Sequence, residues 1–167
     1  MTAGTVSLVG ALDPRDGWVA GSCPIAFALD VVGNRTSFLV LREAFYGTTR
    51  FDDFVARVQV SESVAAARLK ALVDAGLLER RPYREPGERT RSEYHLTDSG
   101  ADFFPVLVAL MAWGDRWDGS ARVELTHHDC GAPLRAEVRC EQGHDVPAGD
   151  SDLVVRRRRG ARGRSAR

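Results

Sequence analysis

The sequence predicts a mainly α-helical fold with one small β wing, and three observations support that prediction. Apolar residues recur at helical spacing in four segments between Cys23 and Gly76. Two strand-like segments then flank an arginine-rich turn that contains Pro86 and Gly87. A long apolar segment follows, and 167 residues, 44% of them hydrophobic, are enough for one domain with its own core.

Three short helices are predicted ahead of the arginine-rich turn. The first two cover Pro24–Val32 and Thr36–Tyr46 and are separated by Gly33-Asn34, because proline suits a first helical turn and glycine suits a helix end. The third helix lies within residues 50–59, where phenylalanine and valine recur three and four residues apart.

A fourth helix is predicted to begin after Ser61, a good N-cap residue, and to end at Gly76. Its periodicity turns five side chains toward the core: Val64, Ala65, Leu69, Leu72 and Val73. The outward face is then small and mostly neutral, and it consists of Ser61, Glu62, Ser63, Ala66, Ala67 and Lys70, with Arg68 at its margin.

Residues 77–83 and 91–97 are predicted to pair as a hairpin whose tip is residues 84–89. Four helices, a two-stranded wing and a further helix, in that order, form a winged helix-turn-helix. In this fold a helix enters the major groove of DNA, and a basic hairpin reaches the sugar-phosphate edge or the minor groove.

The predicted DNA-contacting residues follow from that placement. Serine hydroxyls can bond phosphates or base edges, and alanine methyls can touch thymine methyls. On the fourth helix the candidates are Ser61, Ser63, Ala66, Ala67, Arg68 and Lys70. The phosphate-contacting candidates are Arg84, Arg89 and Arg91 near the wing tip and Arg35 at the start of the second helix. The alternative for the wing is a solvated hairpin of mixed charge.

A last helix is predicted over residues 98–118, capped by Thr97 and loosened in its early turns by Pro105. It carries more large apolar residues than one stripe against a small core requires. These residues are Phe103, Phe104, Val106, Leu107, Leu110, Met111, Trp113 and Trp117. A second copy of the chain is the simplest cover for the excess, and the N-terminal arm is the alternative.

The net charge of zero hides an uneven distribution. Leu153–Arg167 hold seven arginines and no acidic residue, so residues 1–152 carry a net charge of −7. We divide the chain into a flexible arm (1–22), the winged-helix and dimerisation domain (23–118), a Cys/His-containing extension (119–152) and a disordered tail (153–167). The tail is expected to add non-specific affinity for phosphate or solubility.

Segments 23–54, 60–85 and 94–117 resemble the HxlR-type winged helix-turn-helix transcriptional regulators, relatives of the MarR group. The resemblance implies a dimeric cytoplasmic DNA-binding regulator that reads a roughly palindromic operator and pairs through its terminal helices. Where the family usually shows Gly-Asp-Arg-Trp, this chain has Gly-Asn-Arg-Thr at residues 33–36. Its fourth helix is also unusually rich in alanine, so the operator sequence differs more than the fold.

Cys23 lies directly before the first helix, where the helix dipole favours a thiolate. The resemblance implies a redox switch at this position, since some members use a matching N-terminal cysteine; an inert capping cysteine is the alternative. Farther on, His127, Cys130, Cys140 and His144 have the ligand types of a tetrahedral zinc site. The alternative there is a plain hairpin without metal, because Gly143 stands where a second cysteine of a Cys-x2-Cys pair would fall.

The sequence therefore predicts a homodimeric DNA-binding regulator whose effector it does not name. Two alternatives stay open: a redox- or zinc-responsive switch, and a winged-helix protein-interaction module without specific DNA binding. No enzyme is predicted, because no nucleotide-binding loop, catalytic triad or carboxylate pair is present. No segment has the length and apolarity of a membrane span, and no secretory signal is seen, so a cytoplasmic protein is expected.

Overall fold

The computed structural model describes residues 4–13, 23–84, 87, 90–119 and 123–155. The chain forms two compact units, one of residues 22–136 and one of residues 1–21 together with 137–167. In chain order the elements are β1 (Ser7–Leu8), α1 (Pro24–Val32), α2 (Arg35–Phe45), α3 (Phe51–Val58), α4 (Glu62–Asp74), β2 (Leu78–Tyr83), β3 (Arg91–Leu96), α5 (Asp98–Ala101), α6 (Phe104–Asp118) and β4 (Asp152–Leu153).

The helix starts in the larger unit are fixed by polar side chains. The Asn34 side chain accepts hydrogen bonds from the backbone of Thr36 and Ser37, so α2 begins one residue earlier than predicted. Ser61 is the N-cap of α4, as predicted, and accepts from the Val64 N–H. At the joint between α1 and α2, a side chain on Gly33 would collide with the carbonyl oxygen of Leu29, so the joint requires glycine.

The core of this unit lies where α2, α3, α4 and the wing meet. Its fully buried side chains include Val40, Leu41, Phe54, Leu69, Leu72 and Leu78. Each such side chain contributes roughly 1.5–3 kcal/mol through burial. The prediction that Val64 faces inward is wrong, because its side chain is 38% exposed. Ala65, Leu69 and Leu72 define the buried stripe, and Val64 lies roughly 100° around the helix from it.

The wing is an antiparallel pair that runs from Leu78 opposite Leu96 to Tyr83 opposite Arg91. The segment before α3 extends this sheet, because the Tyr94 N–H donates to the Thr49 carbonyl over 2.8 Å. An isolated bridge also joins Arg50 to Glu93. Backbone hydrogen bonds therefore join the segment before α3 to the middle of β3.

The predicted single last helix is interrupted. Thr97 caps the short helix α5, as predicted, and α6 starts afresh at Phe104 with Pro105 in its first turn. Proline has no N–H to continue the preceding helix, which explains a break where a loosened turn was predicted. No single helix among the described residues is long and apolar enough to cross a membrane; α1 and α2 together pass that test but are bent by 81°.

The smaller unit contains the two-residue parallel pair of β1 with β4. A 3-10 turn at Gly10–Leu12 buries Leu12. The arm predicted as flexible thus has regular structure in residues 4–13, because its backbone pairs with residues near the other end of the chain. Of the predicted tail, Leu153 belongs to β4, and residues 156–167 lie outside the described residues.

Residues of the predicted extension, 119–152, fall in both units. Its first part, in the larger unit, is a hairpin joined by a bridge between Thr126 and Pro133. Its second part, in the smaller unit, is a turn closed by a bridge between Arg139 and Asp145. The boundary between the units falls after Ala136, inside the segment that the sequence treats as continuous.

Candidate nucleic-acid interface

Helices α3 and α4 form the helix-turn-helix, and Gln59 makes the joint between them. Its φ of 56° and ψ of 53° place it in the left-handed region, where it ends α3 and turns the chain toward α4. Among the described residues other than glycine, Gln59 is the only one with a positive φ. A residue with a side chain adopts this conformation at a cost on the order of 1–2 kcal/mol. The turn that sets the angle between α3 and α4 is therefore strained.

The outward face of α4 is as small and neutral as the sequence predicts. Ser61, Ser63, Ala66, Ala67 and Lys70 are all exposed. The hydroxyls of Ser61 and Ser63 lie 3.1 Å apart at the N-terminal end, so two hydrogen-bonding groups stand beside the positive end of the helix dipole. Exposed small side chains let a helix approach base edges closely.

Two cations flank that face. Lys70 forms an ion pair with Asp74, one turn further along α4. Arg68 is half-buried, and its Nε atom is buried without a hydrogen bond to any described residue. The partial burial of Arg68 therefore agrees with its predicted place at the margin of the outward face.

The predicted phosphate-contacting arginines are placed unevenly. Arg84 is exposed at the end of β2, and Arg35 is exposed in the first turn of α2. Arg91 NH1 lies 3.8 Å from the Asp52 carboxylate on α3, so part of its charge is balanced within the protein. Arg89 lies outside the described residues.

Two arginines, Arg50 beside the wing and Arg80 within it, were not among the predicted DNA-contacting residues. The Arg50 guanidinium lies 5.0 Å from the centre of the Tyr83 ring, and Arg50 Nε lies 3.8 Å from Glu93 Oε1. Tyr94 packs edge-on against the buried Phe54 ring at 6.1 Å. The signal available in the sequence was alternation: Leu78 and Arg80 must share one face of β2, since successive strand residues point to opposite faces.

A second exposed surface of the larger unit is apolar. On α1, Ile25, Phe27 and Leu29 are exposed, with Phe27 at 72%. On α6 the exposed residues are Phe104, Val106, Leu110, Trp113 and Trp117, and the two tryptophans reach 66% and 68%. Isolated apolar residues on a surface are ordinary, whereas several large ones on one helix indicate a surface that another molecule covers.

Cys23 is the N-cap residue of α1, as the sequence predicts, and it is half-buried. Its side chain makes no capping hydrogen bond, and Pro24 behind it offers no N–H. Cys23 and the cysteines at 130 and 140 are free thiols. Cys23 thus occupies the predicted position, and among the described residues its side chain caps no backbone N–H.

The predicted zinc ligands fall in two separate turns. In the larger unit, His127 Nδ1 lies 3.2 Å from Cys130 Sγ. In the smaller unit, the backbone N–H groups of His144 and Gln142 point at Cys140 and hold the pKa of its thiol below the usual value. Among the described residues, no three histidine, cysteine or acidic side chains converge as metal ligands. His127 and Cys130 thus form one pair of possible ligands, and zinc binding by the four residues stays a prediction.

Known transcriptional regulators are similar to this chain over the helix-turn-helix described above. The family model for the HxlR-like helix-turn-helix matches residues 31–122. An uncharacterized HTH-type transcriptional regulator of Mycobacterium tuberculosis is 37% identical over 125 residues, which are 72% of this chain and 78% of the relative. The residues that the family model matches therefore extend four residues beyond the end of α6.

Solved structures show the same fold. PA1607, a proposed transcription factor, superposes with a TM-score of 0.72 at 36% identity over 80% of this chain and 95% of its own. PA1374 of Pseudomonas aeruginosa, also a proposed transcription factor, gives 0.57 at 36% identity, over 87% of this chain and 95% of its own. The reduced transcriptional regulator YodB of Bacillus subtilis gives 0.50 at 27% identity over 57% of this chain and 93% of its own.

Proposed function

The chain belongs to the HxlR-like helix-turn-helix family of transcriptional regulators, and from that premise we propose that it binds a roughly palindromic operator as a homodimer. Each protomer places α4 in a major groove and its wing on the adjoining backbone or minor groove. The observation that carries the proposal is the exposed N-terminal end of α4, where the hydroxyls of Ser61 and Ser63 lie 3.1 Å apart.

Local charge supports DNA as the partner, although residues 1–152 are acidic as a whole. The arginines at positions 35, 84 and 91 are exposed, and the outward face of α4 carries one acidic residue, Glu62. A neutral face suits base readout by close approach, while these arginines supply the electrostatic attraction to phosphate. The outward face of α4 then determines which operator sequence is bound, and the three arginines determine the affinity.

The apolar surfaces of α1 and α6 support the homodimer. Helix α1 packs against α2 and buries Val32. Helix α6 buries Leu107 and Val108 and contacts α2 through the rings of Phe104 and Phe45. Their exposed residues are too large and too many for a surface facing water. A second copy of the chain covers such a surface with a like surface, and its two-fold symmetry matches a palindrome.

The proposal is tested by fluorescence anisotropy of the full chain with duplex DNA from upstream of its own coding sequence and with a scrambled duplex of equal length. Binding is measured across a salt series, since affinity without the salt concentration has no meaning. We expect the upstream DNA to bind at least about tenfold more tightly than the scrambled duplex at every salt concentration.

Two further measurements separate the sources of binding. A chain that ends at Val155 keeps β4 and loses seven tail arginines; we expect its sequence preference to persist while the salt dependence becomes shallower. Equal affinity for both duplexes, together with loss of binding on truncation, would contradict specific recognition and favour a protein-interaction module. Sedimentation equilibrium of the same samples tests the homodimer.

A further inference from the structure

Two shallow cavities lie along the wing and share two of its residues in their lining, Arg80 and Tyr94. One is lined by Ala66 and Lys70 of α4 together with Arg80 and Tyr94 of the wing. The other lies between the start of α3 and the wing, and Arg80 and Tyr94 line it as well, next to Ser92. Because Arg80 and Tyr94 line both cavities, we treat them as one trough, which runs from the outward face of α4 along the wing toward Tyr83 and Arg91.

The strand register explains why Arg80 faces the trough. Arg80 lies opposite Tyr94, two residues from the buried pair of Leu78 and Leu96, so it points to the helix side of the wing. Arg81, one residue later, points to the other side, where its guanidinium forms an ion pair with Glu79. Adjacent arginines on one strand thus occupy opposite faces.

The charges in the trough leave Arg80 distinct from its neighbours. Lys70 is paired with Asp74, and Arg91 lies 3.8 Å from Asp52. Arg50 likewise lies 3.8 Å from a carboxylate, that of Glu93. Arg80 forms no ion pair with any described residue. Positive charge therefore remains uncompensated in the middle of the trough.

The contacts of Arg80 hold its guanidinium in place. It lies 5.7 Å from the centre of the Tyr94 ring, and its NH2 group is 3.4 Å from Ser92 Oγ. Tyr94 is itself fixed by the buried Phe54 ring. An arginine stacked on an aromatic ring keeps its planar donors oriented, which suits bidentate bonding to phosphate oxygens.

We infer that Arg80, assisted by the Ser92 hydroxyl, binds one phosphate of the DNA backbone in this trough. The inference rests on the proposed function: with α4 in the major groove and the wing at the adjoining minor groove, the sugar-phosphate strand that separates the grooves must cross between them. The α4 end of the trough lies between those two elements, and the Arg80 guanidinium there is the kind of cation that binds a phosphodiester. Such a contact fixes the angle of the protein on the duplex and carries no sequence information.

The test compares the full wild-type chain with Arg80→Gln, Arg80→Lys and the matched control Arg81→Gln. Each is titrated across salt with a random-sequence duplex of about 30 base pairs and with the upstream DNA. One lost phosphate contact lowers the slope of log affinity against log salt by about 0.9 on both duplexes. We expect that change for Arg80→Gln, and a wild-type slope for both Arg80→Lys and Arg81→Gln.

The possible outcomes are distinct. An Arg80→Gln slope equal to that of Arg81→Gln overturns the phosphate contact while the proposed function stands, provided the wild type still prefers the upstream DNA. A slope that falls equally in Arg80→Lys also overturns it, because a charge contact should survive in lysine. A wild type without preference refutes the proposed function itself. Thermal unfolding checks each variant, and Arg80→Met, which keeps the stem on Tyr94, replaces a glutamine variant that fails to fold.

Discussion

Helices α4 and α6 are of similar length and both are rich in apolar residues, yet they divide those residues in opposite ways. Helix α4 buries its larger side chains, with Leu69 and Leu72 fully inaccessible, and exposes serines, alanines and a lysine. Helix α6 buries Leu107 and Val108 and exposes Leu110 and two tryptophans.

The difference indicates two kinds of partner for the two surfaces. Small and hydroxyl-bearing side chains on α4 cost little to leave in water, and they suit a hydrated, charged ligand such as DNA. Large aromatic side chains on α6 gain roughly 25 cal/mol for each Å² that a partner removes from water, and they suit a dry protein interface. Removing one side chain at a time tests this division.

The largest effect is expected in the buried stripe of α4. Leu69→Ala should lower the free energy of unfolding by about 2–5 kcal/mol, because the site is enclosed and a cavity would remain. Leu110→Ala on α6 should lower it by less than about 1 kcal/mol when measured by urea denaturation at low protein concentration, where a dimer contributes least. Equal losses at the two positions would contradict the assigned burial.

The second effect concerns the exposed face of α6. Trp113→Glu should raise the dissociation constant of the homodimer by about 30-fold or more, since burying a charge in an apolar interface removes at least about 2 kcal/mol of binding free energy. The measurement is sedimentation equilibrium. Ala67→Glu introduces the same charge on α4 and is the control: it should leave the dimer intact and weaken DNA binding by at least about tenfold, through repulsion from phosphate.

The sequence predicted the elements more completely than their contacts. Helix α1 and the N-caps Ser61 and Thr97 agree with the structure, because proline, glycine and hydroxyl residues at helix ends act locally. Val64 was misplaced because periodicity gives the centre of an apolar stripe but not its width. That width depends on how near the neighbouring helices approach.

The candidate interface was predictable for α4 and only in part for the wing. Subtracting buried positions is enough to find an outward helix face. Arg50 and Arg80 were not chosen as contact residues because their surroundings are made by the fold: the bridge between Arg50 and Glu93 joins residues 43 positions apart. No local pattern reveals such a pairing. The approach of Arg91 to Asp52 was likewise not predictable, since Asp52 belongs to another element.

A third prediction separates the structural and binding roles of the two serines on α4. Ser61→Ala removes the cap of the Val64 N–H and should cost about 1 kcal/mol of unfolding free energy. Ser63→Ala removes a hydroxyl that bonds only the Ser61 hydroxyl among the described residues, and should cost less than about 0.5 kcal/mol. Both should weaken binding to the upstream DNA, as measured by anisotropy. Unchanged binding in both would remove the serines from the interface.

A fourth prediction concerns the joint that aims α4. Gln59→Gly should stabilise the fold by up to about 1 kcal/mol, because glycine adopts the left-handed conformation found here without a steric penalty. Gln59→Val should destabilise it by about 1–2 kcal/mol, since a β-branched side chain fits that region worst. Thermal unfolding measures both. The DNA affinity of the glycine variant then shows whether the joint must be rigid. Unchanged affinity means that the packing of Leu69 and Leu72 alone orients α4. Weaker DNA binding together with higher stability means that the restricted backbone at Gln59 keeps α4 oriented toward its groove.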